Sequence, residues 1–382
     1  MIFFNFKFFF RLVYLSLFKA TGTHARWTKK RVGFLVSYAL TFIPLQLVHG
    51  FFLALDWVFF PGFRRVAIHE PVFIIGNPRT GTTHLLRVLA QDEETFAVAK
   101  WWELVLAPSI TQRKLVRAFG RLDRWLGGHL RKRLFDWEKR AFHEREQYHR
   151  RRLEQADEDE LMLMTIFSAI HLVFAFPFLD EFREIIYFDR RVSAREKQRF
   201  MTFYRRCMQR TLYLYGPEKH YLSKSPANSG RVGTLHDAFP EARFIYMART
   251  PLDVFPSIMS LFSYQCNNFN DLLTPYPFGE EMLEMTKHWY RYPIQVLEGN
   301  DNPYKIVQYE NLVGDLGGTV RSIYDTFGLE MRPDYVQVLK QEVRKANNYT
   351  SRHEYELEEM GYSKEQILAA YRDAIKRFGF ET

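Results

Sequence analysis

The 382-residue chain is 47% hydrophobic and 25% charged, a composition that indicates a globular protein and excludes an intrinsically disordered one. Its formal net charge of +9 suits an anionic ligand, a nucleic acid or an anionic membrane face, so net charge alone does not choose among them. The two cysteines, Cys207 and Cys266, are too few for a disulfide framework in a chain of this length, which favours a reducing compartment such as the cytoplasm.

Residues 1–66 are predicted to form an apolar and basic N-terminal helical segment that associates with a membrane. The basic patch Arg26, Lys29, Lys30 and Arg31 precedes an apolar stretch at 32–63. That stretch is long enough to span a bilayer, for which roughly 20 apolar residues suffice. Its interruptions, Pro44, Gln46, His49 and Asp56, favour helices that lie in the membrane interface over one spanning helix. The alternative is a hydrophobic cap on the rest of the chain, or a dimer face.

Residues 67–382 are predicted to form an α/β domain with a P-loop-like central parallel β-sheet flanked by helices. Short apolar runs at 71–75, 220–223, 243–247 and 304–308 are typical of buried parallel strands, and helical patterns lie between them. The first strand leads directly into the loop 76–83, and a helix is expected to begin near Thr82.

A helical insert is predicted at about 112–172. Its basic run at 112–155 is typical of solvated helix faces, and a membrane-facing or lid role is the alternative. An acidic cluster at 157–160 closes this run. Near the end of the chain, Ser363 and Gln366 have the spacing of a capping box, which predicts an amphipathic helix that ends near Gly379.

The loop 76–83 has the groups that an anion requires. It contains Gly76, Arg79, Thr80, Gly81, Thr82 and Thr83. The glycines let backbone N–H groups approach a phosphate, and the following helix adds the partial positive charge of its N-terminus. Nucleotide triphosphatases share the G-x-x-x-x-G spacing, so a kinase-like or triphosphatase enzyme is the alternative. They need a lysine where Thr82 stands, and its absence counts against that alternative.

A second basic site is predicted after the strand at 243–247. Arg249 follows this strand, and Pro251 is well placed as the first residue of a helix that carries Ser257. Arg249 and Ser257 are therefore expected at the carboxyl edge of the parallel sheet, where open α/β sheets bind their ligands.

These motifs together resemble those of sulfotransferases. The sequence P-V-F-I-I-G-N-P-R-T-G-T-T at 71–83 resembles their 5′-phosphosulfate-binding loop, and R-T-P-L-D-V-F-P-S at 249–257 resembles their 3′-phosphate-binding segment. The turn at 224–226 and the tetrapeptide at 309–312 are also similar to family segments. From residue 71 to the end, including 351–355, the chain most resembles the bacterial-type branch, and Arg79 in place of the more common lysine resembles tyrosylprotein sulfotransferases.

The resemblance implies transfer of the sulfuryl group of 3′-phosphoadenosine 5′-phosphosulfate (PAPS) to an acceptor hydroxyl, with no metal. Arg79 and Lys224 are expected to stabilise the leaving 5′-phosphate. Thr80, Gly81, Thr82 and Thr83 are expected to cradle that phosphate. Arg249 and Ser257 are expected to bind the 3′-phosphate.

A general base is also expected, and Glu103 is the first candidate. It lies near the position at which the tyrosylprotein branch carries its catalytic glutamate, and the alternative for it is a surface glutamate flanked by core aromatics. The reserve candidates are His84, His143, His149 and His171.

The acceptor is expected to be a small molecule, a hydrophobic or lipid-like alcohol, because the N-terminus is aromatic and residues 167–178 are apolar. The protein is expected at a membrane, on its cytoplasmic face, with a lumenal orientation as the alternative. Nucleic acid is not an expected partner, because the sequence contains no recognisable nucleic-acid-binding motif. A non-catalytic, membrane-associated nucleotide-binding protein is a further alternative, and the sequence does not indicate the oligomeric state.

Overall fold

The computed structural model describes residues 4–143, 153–346 and 357–381. At its centre is a five-stranded sheet in the order β2–β3–β1–β4–β5, and every neighbouring pair of strands is parallel. The strands are β1 (Val72–Gly76), β2 (Phe96–Ala97), β3 (His220–Lys224), β4 (Arg243–Ala248) and β5 (Tyr304–Gln308). The predicted parallel α/β fold is therefore confirmed.

The sheet is buried on both faces because side chains alternate along each strand. Phe73 and Ile75 of β1 point into the larger hydrophobic core, whereas Val72 and Ile74 point into a second core on the other face. This double burial explains why the central strands are continuous apolar runs in the sequence. The edge strand β2 has only two residues, too few to give a sequence pattern.

Helices occupy both sides of the sheet. They are α1 (Phe6–Phe18), α2 (Lys29–Phe59), α3 (Thr82–Leu89), α4 (Trp101–Val105), α5 (Ile110–Trp125), α6 (His129–His143), α7 (Leu172–Ala175), α8 (Arg183–Ile186), α9 (Phe188–Arg191), α10 (Ala194–Tyr215), α11 (Val232–Ala238), α12 (Pro251–Asn267), α13 (Gly279–Glu298), α14 (Tyr309–Gly314), α15 (Leu316–Phe327), α16 (Pro333–Ala346), α17 (Lys364–Ala370) and α18 (Arg372–Phe378). Short 3₁₀ helices lie at Pro61–Arg65, Asp159–Ile166, Leu179–Phe182, Pro226–Gly230 and Glu358–Met360.

The N-terminal segment packs on the rest of the chain. Leu12 and Leu15 of α1 and Phe42 of α2 belong to the larger core. α2 is one helix of 31 residues that runs through Pro44, where the sequence pattern predicts an interruption. The division into 1–66 and 67–382 stays a prediction.

Two predicted helical regions differ in detail from the expectation. The insert forms α5 and α6, followed by the acidic cluster and the 3₁₀ segment Asp159–Ile166. The C-terminal helix has its expected capping box at Ser363 and a left-handed Gly379 at its end, but Tyr371 divides it into α17 and α18. The motif at 351–355 and the reserve base His149 lie outside the described residues.

Candidate active site

The loop between β1 and α3 has a backbone that few residue types can adopt. Gly76 has φ +130°, and a Cβ there would lie 2.5 Å from the carbonyl oxygen of Met247. Gly81 has φ +86°, and a Cβ there would lie 2.9 Å from the Tyr309 ring. Arg79 has φ +68° although it is not a glycine. Such conformations are costly outside glycine and cluster at functional sites.

Buried hydrogen bonds hold this loop in place. The Gly76 N–H donates to the Ser229 hydroxyl at 3.0 Å, and the Asn77 amide donates to the Thr286 carbonyl at 3.2 Å. The Thr80 hydroxyl donates to the Asn77 carbonyl at 2.7 Å. The Thr80 side chain therefore shapes the loop, while Thr82 and Thr83 begin α3 at its positive end.

The structure brings Arg79, Arg249 and Ser257 into one group. Arg79 Nε donates to the Ser257 hydroxyl at 2.8 Å, and Arg249 Nη1 donates to the Arg79 carbonyl at 3.1 Å. The Arg249 guanidinium also lies 4.2 Å from the centre of the Tyr309 ring and pairs with Asp253 at 2.9 Å. Pro251 begins α12, as predicted, and this helix carries Ser257. The Arg249 guanidinium therefore contacts the backbone of the glycine loop, and the Arg79 side chain contacts Ser257 of α12.

Lys224 lies at the end of β3, the strand beside β1. Ile74 pairs with Lys224 in the register of β1 and β3, so the lysine lies at the same edge of the sheet as the loop. The Lys224 side chain is 2% exposed, and its ammonium forms an ion pair with Glu158, whose side chain is 14% exposed. The other oxygen of Glu158 lies 3.4 Å from His171 Nε2.

Sequence reasoning missed Glu158. The signal was present, because the acidic cluster at 157–160 needed partners and Lys224 needed a counter-ion. The neighbouring Glu160 accepts a hydrogen bond from Ser225 at 3.0 Å and pairs with buried Arg231 at 3.1 Å. Glu158 and Glu160 therefore contact the end of β3 and the segment that follows it.

Asp159, between these two glutamates, points into the core. It accepts hydrogen bonds from Tyr204 and Tyr221, the latter at 3.2 Å. Burial raises its pKa to about 7, because the charged carboxylate loses its hydration, and the bonds from the tyrosines oppose this shift only in part.

The structure places Glu103 in α4 with a fully buried side chain. Its Oε2 accepts the Lys100 N–H at 3.0 Å, and its Oε1 accepts from Arg117 at 3.0 Å and from Tyr215 at 2.9 Å. Both oxygens are thus bonded within the fold. The catalytic role of Glu103 stays a prediction, and the partly exposed Glu158 is the carboxylate beside Lys224.

The reserve histidines are dispersed. His171 contacts Glu158, His84 lies on the exposed side of α3, and His143 ends α6. Among the described residues, no three His, Cys, Asp or Glu side chains form a group that could hold a metal ion.

Comparison with known proteins identifies the family. A sequence model of the sulfotransferase family matches residues 71–333. The chain is similar to the omega-hydroxy-beta-dihydromenaquinone-9 sulfotransferases Stf3 of Mycobacterium bovis and Mycobacterium tuberculosis, each 24% identical over 344 residues that cover 83% of this chain and 78% of the relative. Its fold is similar to those of sulfotransferase STF9 from Mycobacterium avium (TM-score 0.67, 18% identity, 86% of this chain and 82% of that one) and STF1 from Mycobacterium tuberculosis H37Rv (TM-score 0.62, 18% identity, 87% and 84%). The chain therefore belongs to the sulfotransferase family and is a sulfotransferase.

Proposed function

We propose that this sulfotransferase transfers the sulfuryl group of PAPS to a hydroxyl of a lipid-like acceptor. The observation that carries the proposal is the meeting of Arg79, Arg249 and Ser257 beside the glycine loop, with Lys224 at the end of the adjacent strand. Open parallel sheets bind ligands at this edge. Membership of the family supports PAPS as the donor.

The groups at the site fit the two ends of PAPS. Arg79, the N–H groups near Gly81 and the hydroxyls of Thr82 and Thr83 would bind the 5′-phosphosulfate at the start of α3. Thr80 would contribute by fixing the loop. Arg249 and Ser257 would bind the 3′-phosphate, which PAPS has and ATP lacks.

The reaction requires neutralisation of a leaving phosphate and removal of one proton. The acceptor oxygen forms a bond to sulfur as the bond between sulfur and the 5′-phosphate oxygen breaks, and adenosine 3′,5′-bisphosphate leaves. Arg79 and Lys224 would stabilise the charge on the leaving oxygen. No step requires a metal, because the sulfuryl group has a single negative charge that side-chain cations can match.

Glu158 is the carboxylate that we propose as the general base. Its side chain is partly exposed and lies beside Lys224 and His171, so a hydroxyl placed for attack on the sulfuryl group would lie near it. Glu103 has no exposed side-chain surface and is bonded through both oxygens. Glu158 is also paired through both oxygens, with Lys224 and His171, so a base at either position gives up an existing contact. Of the two carboxylates, Glu158 is the one with exposed side-chain surface that an acceptor could reach.

A hydrophobic alcohol is the acceptor class that the observations support. The relatives Stf3 are named for a hydroxylated menaquinone, and the segment that carries His171 is rich in buried aromatic and aliphatic residues. The kinase-like alternative is not favoured, because Thr82 occupies the position of the triphosphatase lysine.

The apolar helix α2 and the two cysteines support a membrane-associated enzyme on the cytoplasmic face. α2 is long and apolar, and much of its apolar surface is exposed. Cys207 and Cys266 are both buried and unpaired, which agrees with a reducing compartment.

Calorimetric binding of adenosine 3′,5′-bisphosphate tests the donor. Arg249→Ala should weaken binding about 10- to 100-fold, because a hydrogen-bonded charge contributes roughly 1.5–3 kcal/mol. Arg291→Ala, which removes an exposed arginine elsewhere, is the matched control and should not change the affinity. ATP should bind much more weakly than the bisphosphate. Folded protein that binds neither nucleotide, or that binds the two equally, would contradict PAPS as the donor and the role of Arg249 at its 3′-phosphate.

A further inference from the structure

The two sides of α2 have opposite characters. Its inner side is buried against the protein and contains Arg31, Phe42, His49, Leu53 and Asp56. Its outer face consists of Val32, Val36, Leu40, Ile43, Leu47, Phe51 and Val58, which are 41–71% exposed and follow one another at steps of three, four or seven residues. This spacing places them on one stripe of the helix. Between residues 32 and 59 the single charged residue is the buried Asp56, so the outer face has no charge.

Polar bonds fasten the inner side of α2 along its length. Arg31 donates to Asn270 at 2.8 Å and to Ser16 at 3.1 Å near the start of the helix. Near its end, Asp56 pairs with Arg210 at 2.7 Å and accepts the Ile110 N–H at 3.0 Å.

These bonds favour an orientation in which α2 does not span the bilayer. A helix that crosses a bilayer exposes apolar side chains around its whole circumference or packs against other spanning helices. The inner side of α2 instead contacts the sulfotransferase fold at both ends, and the helix is about 46 Å long at 1.5 Å per residue. Lipid could therefore reach the outer face alone.

Most of the net positive charge of the protein lies in the N-terminal segment. Residues 1–66 contain nine Lys or Arg and one acidic residue, Asp56, which gives a formal charge of +8 against +9 for the whole chain. Arg26 just before α2 and Lys29 and Lys30 in its first turn are exposed, and Arg64 and Arg65 are exposed after it. An uncharged apolar stripe with basic groups at both ends is complementary to an anionic bilayer surface. Two copies of the segment face to face would instead repel each other.

The inner side of α2 also touches the region of the candidate base. Tyr38 packs 5.3 Å from Phe176, and Phe42 packs 5.7 Å from Phe167, measured between ring centres. Phe167 and Phe176 flank His171, the histidine beside Glu158. A membrane on the outer face would thus lie one helix away from the segment that borders the site.

We propose that the outer face of α2 docks the enzyme on the surface of an anionic bilayer, with the helix parallel to the membrane plane. The basic residues at its ends contact lipid headgroups, and the apolar stripe enters the boundary between headgroups and acyl chains. A lipid acceptor can then leave the bilayer beside the segment 167–176. This inference deepens the membrane association in the proposed function and is tested without turnover.

Vesicle flotation of the full-length protein tests the docking face. The protein should float with vesicles of phosphatidylcholine and phosphatidylglycerol, and high salt or omission of phosphatidylglycerol should reduce the floated fraction. Leu40→Glu/Leu47→Glu should lower the partition coefficient roughly tenfold or more for each leucine, because each change removes an exposed apolar side chain that lipid would bury. Val313→Glu, the same kind of change at a 52% exposed residue outside the segment, should have no effect.

Two further readouts separate the other occupants and orientations. Light scattering without vesicles should give the same mass for the wild type and for Leu40→Glu/Leu47→Glu. A wild-type dimer that becomes a monomer in the double variant would instead show that the outer face binds a second copy of the chain. Lys29→Cys and Pro61→Cys should both react with an impermeant maleimide added outside the vesicles, and protection of one of them would show a spanning helix. Unchanged binding of adenosine 3′,5′-bisphosphate in all variants would show that the fold and the donor site are intact. Wild-type protein that binds this nucleotide but does not float would overturn the inference and leave the proposed donor standing.

Discussion

At the scale of single residues, the pair Lys224–Glu158 puts the expected leaving-group cation beside the best-placed carboxylate. Glu158→Gln should lower kcat about 10²- to 10⁴-fold, the usual contribution of a general base. Binding of adenosine 3′,5′-bisphosphate should change much less, because the amide keeps the shape of the side chain. Transfer of radiolabel from PAPS to extracted membrane lipids measures the first quantity, and calorimetry measures the second.

Glu103→Gln is the matched comparison. We expect turnover to be retained and the free energy of unfolding to fall by about 1–3 kcal/mol, because the new NH₂ group faces the Lys100 N–H. A variant with normal stability and no turnover would instead support Glu103 as the base and remove Glu158 from that role.

Asp159 gives the stability of the protein a specific pH dependence. Its pKa is about 7 in the folded protein and near 3.8 when exposed, so the folded state binds the proton more tightly. The stability that this proton contributes is present at low pH and is lost as the pH rises through 7. Asp159→Asn has no such proton, so the free energy of unfolding of the variant relative to the wild type should rise by roughly 2–3 kcal/mol between pH 5 and pH 8. Urea unfolding at the two pH values measures it, and a constant difference would show that Asp159 is ionised at both.

At the scale of elements, the sequence predicted the strands and helix starts that depend on a local residue pattern. The strands at 220–223 and 304–308, the start of α3 at Thr82 and the start of α12 at Pro251 all follow from apolar runs and helix-start residues. The position of Arg249 at the edge of the sheet that carries the glycine loop also followed, because parallel strands bring their carboxyl ends to one edge. Its contact with the Arg79 carbonyl was not predicted.

Contacts between distant segments were not predictable in this way. Glu158 is 66 residues from Lys224, and nothing local distinguishes it from the other acids of its cluster. His49 and Asp56 look like interruptions of an apolar helix, but in the fold they are the inner contacts that hold α2. The side to which each residue of α2 points depends on the surface that it packs against.

The anchor at Asp56 can be tested by itself. Asp56→Ala should lower the free energy of unfolding by about 3–5 kcal/mol, because it leaves the buried Arg210 without its counter-ion and the start of α5 without its acceptor. Asp325→Ala, at an exposed position, should change stability by less than about 0.5 kcal/mol. Equal unfolding curves for the two variants would contradict the role of Asp56.

At the scale of the whole molecule, the N-terminal segment combines the proposed docking surface with contacts that the rest of the fold requires. Its outer face is apolar and exposed, whereas its inner residues complete the larger core and neutralise a buried arginine. The proposed docking surface and the contacts with the sulfotransferase fold therefore lie on opposite sides of the same helix.

Deletion of residues 1–66 should consequently destroy the fold rather than release a soluble enzyme. It would expose the surface that Leu12, Phe42 and Leu53 cover, at about 1.5–3 kcal/mol for each side chain, and would leave Arg210 uncompensated. We expect the truncated chain to aggregate or to lose cooperative thermal unfolding, whereas the full-length Leu40→Glu/Leu47→Glu variant should keep both its melting temperature and its affinity for adenosine 3′,5′-bisphosphate. A soluble 67–382 fragment with the melting temperature and nucleotide affinity of the full chain would show that the two parts are separate units, because the inner side of α2 would then contribute nothing to the fold.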